Sequence, residues 1–209
     1  FPRVHGVMVR VGAHYIVDDE ARAHRDPPGF FVIGRYPEGT DELAETVARA
    51  LRAAGFFVKV STDVMPYKWG KLVLNTTNAV DAITDAKGAA ANALVRAARQ
   101  EAVDLLKQAG IRWVSDKELD QEWPEIAQPA RGTLDMEQHS STWQSLTRKQ
   151  GSVETEFLNG EFVRLAKKLG RPAPVNEGLL RISQEMAAHN DLPGKYTPAQ
   201  LAALLGLEA

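Results

Sequence analysis

Lys71, Asn75 and Asn78 form the most informative polar pattern of the sequence, within the stretch YKWGKLVLNTTNAVDA at 67–82. In a helix, which turns about 100° per residue, these side chains stack along one narrow stripe spanning about 10 Å. An ammonium can stabilise a developing oxyanion and amides can bind a carboxylate, so the stripe suits a small polar acid. Asparagine is also a poor choice for an exposed helix face. A solvated stripe with two indifferent asparagines is the alternative reading.

A second polar group lies further along the chain, at Ser140, Ser141 and Glu154. The two serines precede Trp143, and Glu154 opens the next predicted helix. Each has an ordinary explanation, because serine commonly caps a helix and the helix dipole favours an acid in the first turn. Taken alone, this group indicates helix starts at least as well as a ligand site.

Other catalytic chemistries find no support in the sequence. There is no cysteine, no G-x-S-x-G elbow, no P-loop and no G-x-G-x-x-G turn. The histidines lack metal-site spacing and stand at His5, His14, His24, His139 and His189. We therefore expect no metal.

Composition limits the class of partner. Of the 209 residues 44% are hydrophobic, and the formal net charge is −2. The 25 basic residues are spread along the chain, which argues against a nucleic-acid or membrane surface. No apolar run approaches the roughly 18 residues that a membrane span needs. These features favour a cytoplasmic protein with a small-molecule partner.

The first 64 residues mix strand and helix signals. VHGVMVRV and FFVIGRY predict strands, with the polar, turn-rich stretch DDEARAHRDPPGF between them. A helix over DELAETVARALRAAG follows, capped by Thr40, and FFVKVS is a third strand. The apolar positions of that helix are Leu43, Val47, Ala50 and Leu51. Strand, helix and strand with short loops predict about half of a wound α/β sheet.

Residues 65–209 show no strand signals and predict a helical domain, with a looser segment over 111–133. The first runs over 67–85, the second over 89–108 before Gly110, and more helix is expected around 134–148. SVETEFLNGEFVRLAKKLG then predicts one amphipathic helix ending at Gly170, and Pro172 and Pro174 mark the entry to a last major helix. The inward positions of the amphipathic helix are Phe157, Phe162, Leu165 and Leu169.

The sequence begins at Phe1, in an alternating pattern typical of a strand already under way. We therefore expect that the front of a longer protein is missing.

Two motifs in order carry a resemblance to a known family: KWGKLVLNTTNAVDAIT and SSTWQSLTRKQGSVETEFLNGEFVRLAKKLGRPAPVNEGLL. Together they resemble the ketopantoate reductase (2-dehydropantoate 2-reductase) family. The resemblance implies that residues 1–64 are the remainder of a Rossmann-type NADP-binding domain. It implies that residues 65–209 are an all-α substrate and catalytic domain of the 6-phosphogluconate dehydrogenase C-terminal-like type. The family's glycine-rich loop would precede Phe1.

The resemblance also implies residue roles. Lys71 matches the family's catalytic lysine, which donates a proton to the ketone. Asn75 matches a substrate-binding asparagine, and Ser141, in SST, matches the substrate-binding serine. Glu154, in VETEFLNG, matches a glutamate that contacts the cofactor and orders the site. Ala13, in VGAHY, matches a small residue whose backbone meets the cofactor.

The sequence departs from the family pattern in two places. The family's second asparagine commonly stands eight residues after the lysine, whereas Ala79 stands there and Asn78 is at seven. Gln138 occupies a position that is often asparagine. Asn78 is still assigned to substrate binding, and the departures leave the identity of the substrate open.

Three functions follow from these observations. The first is NADPH-dependent reduction of 2-dehydropantoate to pantoate, a step of pantothenate biosynthesis. The second is a related reductase acting on a different 2-oxo or 3-hydroxy acid, and the third is a non-catalytic helical module used for binding or dimerisation. A homodimer is compatible with each of them. Without the phosphate loop, the 209-residue chain alone is expected to be inactive.

Overall fold

A computed structural model of the protein describes residues 3–17, 19–23, 26–124 and 139–207. The chain forms two compact units. The first combines Phe1–Lys71 with Arg112–Met136, and the second combines Leu72–Ile111 with Glu137–Ala209. The division falls within one helix, directly after Lys71. An α/β part followed by a helical part confirms the predicted fold class.

The first unit contains strands β1 (His5–Val11), β2 (Ala13–Val17), β3 (Glu20–Ala23), β4 (Gly29–Arg35) and β5 (Phe57–Val60). β1, β4 and β5 form one sheet in the order β1-β4-β5. β1 runs antiparallel to β4, with Val7 opposite Ile33, and β4 runs parallel to β5, with Phe31 opposite Val58. The parallel pair is joined by helix α1 (Glu42–Ala53), which confirms the predicted strand–helix–strand unit.

The polar stretch between β1 and β4 contains a hairpin, not only turns. β2 and β3 pair antiparallel as a separate two-stranded sheet. Asp19, at the turn between them, has φ +68°, a left-handed conformation that aspartate tolerates better than most residues. The prediction of an unpaired turn region was therefore wrong for Glu20–Ala23, because this segment pairs with β2 across a two-residue connection.

Helix α1 differs from its prediction at the cap and on its buried face. Asp41, not Thr40, caps the helix, and its carboxylate accepts from the Ala44 amide at 3.0 Å. Leu43 is 57% exposed, whereas Ala44 and Ala48 are buried on the sheet. The methyl side chains of these alanines let the helix approach the sheet closely. Leu43 and Val47 therefore lie outside the core, whereas Leu51 packs against it.

The later helices of the described chain are α2 (Met65–Asn75), α3 (Asn78–Thr84), α4 (Ala89–Gln108), α5 (Asp116–Glu122), α6 (Ser141–Thr147), α7 (Asn159–Leu169), α8 (Pro174–Ala188) and α9 (Pro198–Leu204). A 3-10 helix covers Glu154–Phe157. α4 has the predicted bounds, whereas α9 lies beyond the last helix that the sequence predicted. Of the helix predicted around 134–148, α6 covers Ser141–Thr147, residues 139–140 precede it without helical structure, and 134–138 lie outside the described residues.

The helix predicted over 67–85 is interrupted at Thr76 and Thr77, between α2 and α3. The two threonine hydroxyls donate to the carbonyls of Val73 and Leu74, at 2.7 and 2.9 Å. The carbonyl of Thr76 accepts from the side chain of Asn159 at 2.9 Å. These bonds replace part of the regular helix ladder, which explains why the single-helix prediction was wrong.

Several helices of the second unit contribute buried apolar residues to a common cluster. Phe162 in α7 is fully buried, as predicted, but Phe157 is 71% exposed because the chain forms the separate 3-10 helix there. α7 ends at Gly170 with φ +62°, which confirms the predicted stop. The large buried residues at the centre include Ile83, Leu94, Leu146, Leu179, Ile182, Met186 and Leu201.

Candidate active site

Lys71 lies one turn before the end of α2, on the part of that helix that belongs to the first unit. Its Nζ donates a hydrogen bond to the backbone carbonyl of Val9 in β1. Burial lowers the pKa of the half-buried ammonium below the ordinary 10.5, and the positive charges of Lys68 and Arg10 lower it further. Lys71 therefore releases a proton more readily than an exposed lysine does.

Lys68, one turn before Lys71, makes a related contact. Its Nζ donates to the carbonyl of Val7 at 3.4 Å. Because Val7 and Val9 are two residues apart, their carbonyls point to the same side of β1. β1 is an outer strand of its sheet, and lysine side chains commonly protect such strand edges. The contact of Lys71 is therefore compatible with a structural role as well as with proton transfer.

Gly70, the residue before Lys71, allows α2 to lie directly against the backbone of Val114. A Cβ atom at this position would overlap the backbone carbonyl oxygen of Val114. The amide of Val114 in turn donates to the carbonyl of Pro66 in α2, at 2.9 Å. This close backbone contact therefore fixes the position of α2, and with it that of Lys71, within the first unit.

Asn75 and Asn78 stand on either side of the break between α2 and α3. Asn75 is the last residue of α2 and follows Lys71 by four, the spacing of neighbours on one helix face. Asn78 is the first residue of α3. The predicted regular stripe assumed an unbroken helix, so its spacing does not extend to Asn78.

Asn78 lies beside the start of α6 in the second unit. The Ser140 hydroxyl donates to the Asn78 backbone carbonyl at 3.1 Å, and the Ser140 amide donates to the Asp81 carboxylate at 2.8 Å. Ser140 also caps α6, since its hydroxyl accepts from the Trp143 amide. Ser141 follows as the first residue of α6, with an exposed side chain. The N-terminal ends of α3 and α6 thus bring Asn78 and Ser141 to adjoining positions.

The remaining predicted residues lie in both units. Glu154 is the exposed first residue of the 3-10 helix in the second unit. Ala13 is the exposed first residue of β2 in the first unit, where it pairs with Ala23. Gln138 lies outside the described residues. Lys71 and Ala13 therefore belong to the first unit, and the other predicted site residues belong to the second.

Sequence reasoning missed two fully buried asparagines in the second unit, Asn159 and Asn176. Each stands three residues before a buried apolar residue of its own helix, Phe162 or Leu179. An asparagine on the apolar stripe of an amphipathic helix was therefore the signal that could have revealed them.

A family model described as "Ketopantoate reductase PanE/ApbA C terminal" matches residues 63–187, more than half of the chain. The chain belongs to the ketopantoate reductase family. The matched region includes Lys71, Asn75, Asn78, Ser141 and Glu154. The predicted family is thereby confirmed, whereas the roles of these residues stay predictions.

Curated relatives of this ketopantoate reductase family member include a 2-dehydropantoate 2-reductase of Pyrococcus horikoshii. It is 28% identical over 156 residues, which cover 71% of this chain and 49% of that protein. The chain thus spans about half the length of the curated relatives it matches.

Solved structures support the same fold. A PanE/ApbA family ketopantoate reductase from Ralstonia eutropha JMP134 has a TM-score of 0.69 and 27% identity, covering 90% of this chain and 60% of that one. A D-mandelate dehydrogenase in complex with NADH has a TM-score of 0.70 and 17% identity, covering 91% and 64%. The fold of this chain is therefore also found in an enzyme with a different name.

The described part of the chain contains no candidate membrane span and no candidate metal site. None of its helices combines the length and apolar character needed to cross a membrane. No group of three or more histidine, aspartate or glutamate side chains in that part of the chain could hold a metal ion.

Proposed function

We propose that this chain carries the substrate-binding and catalytic helices of a cytoplasmic NADPH-dependent 2-oxo acid reductase. The preferred reaction is the reduction of 2-dehydropantoate to pantoate, in pantothenate biosynthesis. The observation that supports the proposal best is Lys71, a half-buried lysine with a lowered pKa inside the region that the family model matches. A homodimer is part of the proposal.

The residue types fit this chemistry. Reduction of a ketone leaves negative charge on its oxygen, and the Lys71 ammonium would stabilise that charge and supply the proton. Asn75, Asn78 and Ser141 would bind the carboxylate and hydroxyl groups of the substrate. Neutral amides and hydroxyls do this without adding a charge that would shift the pKa of Lys71.

The cofactor, when bound, supplies the hydride. Ala13 and Glu154 would contact it, and both are exposed, as contact with a bound dinucleotide requires. No glycine-rich phosphate loop occurs among the 209 residues, so these two contacts account for only a part of the binding energy.

A related reductase for another 2-oxo or 3-hydroxy acid is the second candidate, favoured by the position of Asn78 after the helix break. The test uses the complete gene product with ketopantoate and a panel of other 2-oxo acids, each with NADPH and with NADH. Loss of nicotinamide absorbance with ketopantoate supports the first proposal. Activity only with another acid supports the second, and inactivity with every acid supports a non-catalytic module.

The rate of the complete enzyme is expected to fall at alkaline pH, with a midpoint below the ordinary lysine value of 10.5. The donor must be protonated, so activity is full below the pKa of Lys71 and is lost as the pH rises through it. A pH profile of kcat/KM measures this limb for the free enzyme. A midpoint at or above 10.5, or a limb that persists in Lys71→Ala, would contradict the assignment.

The 209-residue chain alone is expected to bind NADPH weakly and to lack activity. Without the backbone amides of a phosphate loop, little remains to hold the pyrophosphate. Titration calorimetry of the chain with NADPH checks this expectation, with the complete gene product as the control. Binding at micromolar concentration by the chain alone would show that its own residues suffice.

A further inference from the structure

A row of polar groups, half-buried at Glu101 and fully buried beyond it, runs through the second unit from α4 to the break between α2 and α3. At one end, the Glu101 carboxylate accepts from the backbone amides of Val175 and Asn176, at 3.0 and 2.8 Å, at the start of α8. It also accepts from the side-chain amide of Asn176 at 2.8 Å. The Asn176 Oδ1 then accepts from the Asn159 Nδ2 at 2.9 Å, and the same Nδ2 donates to the Thr76 carbonyl.

The donor and acceptor roles along this row of hydrogen bonds are fixed by the groups at its two ends. The Glu101 carboxylate and the Thr76 carbonyl can only accept, so the Asn176 amide nitrogen must face the glutamate and its oxygen must face Asn159. The second hydrogen of the Asn176 amide is used as well, since it donates to the Ala98 carbonyl at 3.2 Å. Neither asparagine can flip without setting donor against donor or acceptor against acceptor.

Burying polar groups costs free energy, so this arrangement points to a role beyond packing. Asn159, Asn176 and Thr76 are each 0% exposed. The Asn159 Oδ1 has no hydrogen-bond partner among the described residues, so part of the cost is not offset. An apolar side chain would fill the same space without that penalty.

The place where the row ends suggests the purpose. Thr76 lies between Asn75 and Asn78, and its carbonyl is bound by Asn159 at the point where the regular helix ladder is interrupted. The Asn159 bond therefore holds the short segment that orients Asn75, the last residue of α2, and Asn78, the first residue of α3.

We infer that Glu101, Asn176 and Asn159 are positioning residues for substrate binding, acting through Asn75 and Asn78. The inference rests on the proposed function, in which those two asparagines bind the 2-oxo acid. A carboxylate contact is made equally in the ground and transition states, so disturbing it raises KM and leaves kcat nearly unchanged.

The test is Asn159→Ala in the complete gene product. The KM for the 2-oxo acid should rise about tenfold, the effect of losing one hydrogen bond to a charged group, with kcat and NADPH affinity nearly unchanged. Glu101→Gln, which keeps the packing volume but loses an acceptor, should give a smaller rise in KM. Leu201→Ala, a truncation in the apolar cluster of the same unit, should reduce stability without changing KM.

A double variant distinguishes positioning from general damage. If Asn159 acts through Asn75, the KM of Asn75→Ala/Asn159→Ala should stay within about twofold of the worse single variant. Amide hydrogen exchange should also accelerate selectively over 76–80 in Asn159→Ala, whereas in Leu201→Ala it should accelerate across the second unit as a whole. Full additivity of the two effects on KM, or unchanged exchange, overturns the inference.

The proposed function is tested separately by the wild type. Wild-type activity together with an unchanged KM in Asn159→Ala overturns the inference and leaves the proposed function standing. A wild type that reduces no 2-oxo acid removes the proposed function, and the positioning role with it.

Discussion

Lys71→Ala in the complete enzyme is expected to lower kcat by about 10²-fold or more, a loss of roughly 3 kcal/mol of transition-state stabilisation. The ammonium interacts most strongly with an oxyanion that exists only in the transition state, so its removal acts on kcat rather than on substrate affinity. NADPH affinity should stay nearly unchanged. Steady-state kinetics with the accepted 2-oxo acid and a separate NADPH titration measure these quantities.

Lys68→Ala is the matched control for this experiment. Both lysines donate to backbone carbonyls of β1, at Val7 and Val9, so both variants remove one contact from the same strand. If strand protection is the only role of Lys71, the two variants will lose activity and stability to a similar extent. A large loss of kcat in Lys71→Ala alone supports proton donation, and wild-type kcat in Lys71→Ala refutes it.

Regular periodicity explains which parts of the fold were predictable. α4 has the predicted bounds because its apolar residues repeat at helical spacing and Gly110 ends it with φ +66°. The pair of β4 and β5 around α1 was equally clear from strand–helix–strand alternation. In each case the local pattern and the tertiary packing favour the same structure.

Elements that depend on tertiary contacts were not predictable in the same way. The break after Asn75 depends on a bond from Asn159, which is 83 residues away in sequence from Thr76. The exposure of Phe157 depends on a 3-10 turn that leaves its side chain outside the core. Periodicity within one segment carries no information about either contact.

The candidate site divides along the same line. The types and spacing of Lys71 and Asn75 were sufficient to select them, since both lie on one regular helix. The effect of burial on the pKa of Lys71 and the contact between Ser140 and Asn78 required the structure. The polar row from Glu101 to Thr76 joins four separate segments and could not be inferred from any one of them.

Gly70→Ala is expected to destabilise the first unit by about 3 kcal/mol or more, the upper range for overpacking. The added methyl would overlap the backbone oxygen of Val114, which cannot rotate away as a side chain does. Val114 is also held to α2 by the bond from its amide to Pro66. Urea denaturation followed by tryptophan fluorescence measures the change, because Trp69 and Trp123 both belong to the first unit.

Gly160→Ala provides the contrast, because this glycine is also helical but has room. The nearest atom to a Cβ at Gly160 is 3.5 Å away, which is ordinary van der Waals contact. Removing backbone freedom from the unfolded chain should leave stability unchanged or raise it by up to about 1 kcal/mol. Similar denaturation midpoints for the two variants would mean that α2 can move away from Val114. The close backbone contact would then not be what fixes the position of Lys71 in α2.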